Sequence, residues 1–139
     1  MCTLINEIIF ILISLILSYS DFKTYHIPLI PLYLGIISYI LISIIFYREI
    51  IVNHLIGMIL MGVFFFLMRV LTKGGMGLGD IQYALYCGLI SGVPYFIYAS
   101  LISSVIGIIM YFVFYSKSKK IPLIPAMMLG TVFMIVIVN

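Results

Sequence analysis

The chain has 139 residues, 65% of them hydrophobic and only 8% charged, with a mean hydropathy of +1.37. Soluble domains run at about 45–50% apolar and about 25% charged, and a chain this short has too little interior to hide the excess. Lipid is therefore the solvent, and secreted disulfide scaffolds, nucleic-acid modules and disordered tails are excluded; a net charge of +3 names no partner.

Apolar runs alternate with short polar breaks. A crossing helix takes about 20 residues, within a range of about 17–25. Six runs predict an all-α integral membrane protein: 4–20, 29–47, 50–71, 80–93, 95–115 and 121–138. The breaks are Asp21–Pro28, Tyr47–Glu49, Thr72–Gly79, Gly92–Pro94 and Ser116–Lys120, none long enough for a soluble domain. The expectation is one transmembrane domain over residues 1–139. In the first run Ser18-Tyr19-Ser20 looks like a small-x-small cleavage site. The start has no basic segment and carries Glu7, so the run reads as a retained helix. The fourth run is short for a hydrocarbon core of about 30 Å and could be re-entrant.

Charge arbitrates. With six crossings and the N-terminus outside, Lys23, Arg69, Lys73, Lys117, Lys119 and Lys120 fall on the inner side and only Arg48 on the outer. Cytoplasmic loops carry the excess of Lys and Arg. The bias favours six helices with both termini outside.

Four acids exist. Glu7 and Glu49 lie near the outer side; Asp21 ends the first helix and Asp80 begins the fourth, both on the inner side. Taken singly, Asp80 could be a helix cap and Asp21 a solvated loop residue beside Lys23. Together they are the two inner carboxylates at one depth, and ionisable groups in a bundle are functional candidates. Ser14, Ser18 and Asp21 share one stripe of the first helix, which should face protein. Asp80, Ala84, Cys87, Gly88 and Ser91 form a small-residue face on the fourth, suited to close packing. Two adjacent carboxylates share one proton. The ionised member can take a proton from water while the protonated member donates to a peptide carbonyl. That is aspartic peptide hydrolysis, which needs no metal.

Gly74-Gly75-Met76-Gly77-Leu78-Gly79 permits positive φ and close backbone approach beside Asp80. No G-K-[ST] follows, so it is not a phosphate loop. Cys2 and Cys87 have no metal-ligand spacing and read as small apolar side chains, and His26 stands nearly alone. No metal and no cofactor are expected.

Gly77-Leu78-Gly79-Asp80 matches the G-x-G-D motif of membrane aspartyl proteases. Within these the chain resembles the type IV prepilin peptidases and archaeal preflagellin peptidases. Their first motif is an Asp ending a helix, followed six residues later by Ile-Pro and usually Asn; here Asp21 is followed by Ile27-Pro28, with Leu29 for Asn. A later feature like I-P-F-G-P reads Ile121-Pro122-Leu123-Ile124-Pro125, with Ile124 for Gly. G-x-G-D is usually followed by x-K; here Gln82 holds that place. Presenilin-type proteases share G-L-G-D but are larger, with more crossings.

The resemblance implies a multi-pass enzyme of the prokaryotic cytoplasmic membrane that removes the basic leader of prepilin-like precursors, each with an apolar helix after the leader. It implies Asp21 and Asp80 as the catalytic pair, with Gly77, Gly79, Ile27, Pro28, Pro122 and Pro125 shaping the loops around the substrate. Many family members carry a cysteine-rich zinc insert and an N-methyltransferase activity. This chain has neither the cysteines nor the loop, so the minimal peptidase form is expected. A proton-coupled transporter or small channel would also place carboxylates in a bundle, but nearer mid-membrane. A non-catalytic assembly protein would have no use for the paired motifs.

Overall fold

The computed structural model describes residues 2–73, 76–114 and 122–138. Lys117, Lys119, Lys120, Ile121, the loop glycines Gly74 and Gly75 and the side chain of Cys2 lie outside the described residues. Among the described residues the chain is six α-helices with no strand: α1 Cys2–Thr24, α2 Leu29–Phe46, α3 Ile51–Leu71, α4 Leu78–Ser91, α5 Tyr95–Phe114 and α6 Ile124–Val138. Each corresponds to one apolar run. The ends differ most in α1, which runs a turn further than its apolar run, in α4, which starts two residues before Asp80 and ends at Ser91, and in α6, which starts after Leu123.

Among the described residues four segments are long and apolar enough to cross a membrane: Leu4–Thr24, Leu29–Phe46, Ile51–Leu71 and Tyr95–Val113. The bundle is apolar on the outside. Ile30, Leu71 and Phe112 are each 76% exposed, while Asn6, Ser14, Ser18, Asp21, Ser43 and Thr131 are buried. Such an arrangement suits a solvent that offers no hydrogen bonds.

The short α4, with 14 residues, is the central helix. It touches all five others, and Ile81, Tyr83, Ala84, Tyr86, Cys87, Gly88, Leu89 and Ile90 are all buried. At 1.5 Å per residue it is about 21 Å long. Protein surrounds it, so its ends need not reach both edges of the lipid. Its small face works as expected against α3. A Cβ on Gly88 would stand 2.5 Å from the Gly57 carbonyl oxygen, and one on Gly57 would stand 2.7 Å from that of Gly88. The two backbones touch there, as small residues allow in membrane helix pairs. Cys87 is buried with a free thiol, as a small apolar filler should be.

Candidate active site

The polar stripe of α1 faces inward. Tyr83 of α4 donates from its hydroxyl to Ser14 Oγ at 2.8 Å, and Ser18 Oγ lies 3.5 Å from Met128 Sδ of α6. Asp21, 5% exposed, completes the stripe. It lies inside α1, one turn before the helix ends.

Asp21 Oδ2 accepts the Ile124 backbone N–H at 3.2 Å, and the Leu123 N–H also bonds this carboxylate. The local sequence dictates this. The first N–H groups of a helix have no partner within it. Pro122 and Pro125 carry none, and Leu123 and Ile124 are the two residues between them with donors at the start of α6. The positive end of the helix dipole favours an anion in the same place. The donors are main chain, so Ile in place of Gly at 124 leaves them intact. The Ile124 side chain fills the core, fully buried.

Asp80 sits in the first turn of α4, outside the four long spans. Gly77, not Asp80, is the N-cap residue. Asp80 Oδ2 accepts the Gly77 N–H at 3.0 Å, which is half of a capping box. Glycine has no side chain for the other half. The charged groups near Asp80 are Asp21 of α1 and Arg69 of α3.

Gly79 faces the turn between α1 and α2. A Cβ on it would stand 2.7 Å from Ile27 Cδ1. That turn is fixed by side-chain bonds: Ser20 Oγ donates to the His26 carbonyl at 3.0 Å, Thr24 Oγ1 to that of Ser20 at 2.8 Å, and Tyr25 adopts φ 52°. Pro28 then caps α2 with extended backbone. Gly77 is also extended, at φ −67°. At Gly77 and Gly79 the glycines therefore serve close approach, not positive φ. Pro122 is buried and Pro125 half-buried at the start of α6. Leu29 and Gln82, two departures from the resembled motifs, are exposed and half-buried.

Asp21, Ile27, Gly79, Asp80 and the Pro122–Pro125 start of α6 thus meet at one end of the bundle. His26 is exposed. Among the described residues no three His, Cys, Asp or Glu side chains converge to hold a metal ion.

Residues 8–112, about three quarters of the chain, match the type IV leader peptidase family. The chain belongs to this family. It is a protease of the leader-peptidase type, a multi-pass membrane protein whose substrates are in general prepilin-type proteins. The matched stretch holds Asp21, Ile27, Pro28, Gly77, Gly79 and Asp80 and ends before Pro122 and Pro125. The search of curated proteins and the search of solved structures returned no significant match.

Two features of the peptidase were not read from its sequence. One is the pair of main-chain donors on Asp21, signalled only by the two prolines. The other is a polar cluster away from the aspartates. Asn6, Glu7, Tyr39, Ser43, Tyr47 and His54 line a cavity of about 70 Å³. The Asn6 Oδ1 there has no protein partner.

Proposed function

We propose that this peptidase is an aspartyl endopeptidase that removes the leader of prepilin-like precursors at the cytoplasmic face of a prokaryotic membrane. Asp21 and Asp80 are its catalytic pair. The observation that carries the reading is the meeting of the two aspartate motifs, with Gly79 packed on Ile27 and the start of α6 bonded to Asp21.

Peptide hydrolysis follows from one proton shared between two carboxyls. The ionised carboxylate accepts a proton from water, and the resulting hydroxide oxygen bonds to the peptide carbonyl carbon. The protonated carboxyl donates to the carbonyl oxygen. Collapse of the tetrahedral intermediate breaks the C–N bond, and a carboxyl proton passes to the leaving amine. The products are an acid and an amine, and no metal takes part.

Orientation follows from charge. With six crossings, both termini lie outside and Lys23, Arg69 and Lys73 lie inside. Both aspartates then face the cytoplasm, where a basic leader would be. The substrate is a precursor with a basic leader followed by one apolar helix. The test is co-expression with such a precursor, reading leader loss by mass. Cleavage that persists in chelator is expected. Loss of cleavage in chelator, with return on adding zinc, would overturn the aspartyl reading.

A further inference from the structure

We propose that Arg69 is a positioning residue for Asp80, acting through the single peptide group that joins Met76 to Gly77. The inference rests on the aspartyl reading above and deepens it.

Arg69 lies in the last turn of α3. Its plain roles there are to complement the helix dipole and to mark the cytoplasmic side. The structure gives it a third. Arg69 Nη1 donates to the Met76 carbonyl oxygen. Asp80 Oδ2 accepts from the Gly77 N–H at 3.0 Å. That carbonyl and that N–H belong to one amide. A cation holds its oxygen and a carboxylate holds its hydrogen, so the three groups form one chain from guanidinium to carboxyl.

Two consequences follow. A cation on the oxygen polarises the amide and makes its N–H a stronger donor, as bonds in a chain reinforce one another. The same contact pins the loop. Thr72 ends α3, Gly77 opens α4, and the intervening run is rich in glycine. The Arg69 fork ties the far side of that run back to α3, so the Gly77 N–H is held where Asp80 needs it. Both effects favour the charged form of Asp80.

The charged groups acting on Asp80 are Asp21 from α1 and Arg69 from α3, with opposite signs. Lys73 stands four residues beyond Arg69 and has no described contact with the Met76–Gly77 amide. It is therefore the control cation at the same end of the bundle.

The test is the pH dependence of kcat/KM for one precursor in the full-length membrane protein. Activity needs one proton on the pair, so it falls at high pH as that proton leaves. Without the Arg69 charge the proton is held more tightly. In Arg69→Gln the high-pH limb should move up by about half a unit or more, which is less than the roughly 1–3 units of an opposite charge in direct contact because Arg69 acts through one amide. The fall in rate should appear in kcat more than in KM. Arg69→Lys keeps a cation that can reach one acceptor and should retain activity with the native limb. Lys73→Gln should leave the limb in place.

An inserted Arg69→Gln protein with the native limb and rate overturns the inference. So does an inserted but inactive Arg69→Lys, which also serves if Arg69→Gln fails to accumulate. Asp80→Asn separates this from the reading beneath it. If Asp80→Asn still cleaves, the aspartyl reading falls. If Asp80→Asn is inactive and the Arg69→Gln limb is unmoved, the role of Arg69 alone falls.

Discussion

Gly79 on α4 lies so close to Ile27 that a Cβ on it would stand 2.7 Å from Ile27 Cδ1 and 3.3 Å from Ile27 Cβ. Those residues are 52 positions apart in the chain, and each stands near one aspartate. The contact locks the α1–α2 turn onto the first turn of α4. It therefore fixes where Asp80 stands relative to Asp21.

Gly79→Ala should accordingly impair the protein. In an ordinary helix interior the change would stabilise by about 1 kcal/mol. Here the methyl meets Ile27 Cδ1 at 2.7 Å and also Cβ and Cγ1 at 3.3 Å; χ2 can turn Cδ1 away, but the stiff χ1 of a β-branched residue leaves the other two in place. Cleavage and thermal stability should both fall, and Ile27→Ala should restore part of both in the double variant. A Gly79→Ala protein as stable and active as the native one would show that the contact does not matter.

The grip of α6 on Asp21 is made by main chain, which side-chain variants can separate. Ile124→Pro removes the donor at a first helical position that proline otherwise tolerates. Ile124→Ala keeps the donor and leaves a cavity, with a stability cost of about 2–5 kcal/mol. Cleavage should be lost in the proline variant and retained in the alanine variant at a temperature where both remain inserted. Equal activity in the two would mean the Ile124 N–H is dispensable.

Much of the fold was legible because lipid imposes one rule. Every backbone group must be paired within the segment, so apolar length translates into helices. The inward stripe of Ser14, Ser18 and Asp21 and the small face of α4 were legible from helical period alone. Helix ends were not, since a polar residue such as Asp21 can continue a helix inside a bundle as well as stop it. The role of Ile124 was hidden for a different reason. Its N–H is present in nearly any residue, so the side chain carries no sign of the contact. Arg69 was hidden because its cytoplasmic charge already had a topological explanation, and the Met76 carbonyl it holds leaves no mark in the sequence.

Topology is tested independently of chemistry. Reporter fusions at Lys73 and Lys119 should report cytoplasm, and fusions at Arg48 and at the C-terminus should report the outside. The basis is that six of the seven Lys and Arg fall on one side when six helices cross. A cytoplasmic C-terminus would contradict a membrane-crossing α4 and α6.

The most direct test is cleavage of a prepilin-like precursor by Asp21→Asn and Asp80→Asn, with membrane level checked by blot. Asparagine keeps the shape of aspartate and an oxygen acceptor. In Asp80→Asn its oxygen can still take the Gly77 N–H. What it cannot do is exchange the proton. Each variant should be inserted at the native level and inactive, and the double variant should be little worse than either, because groups that act as a unit are not additive. Substantial cleavage by either single variant would remove that residue from the pair and leave it only as an acceptor for main-chain N–H groups.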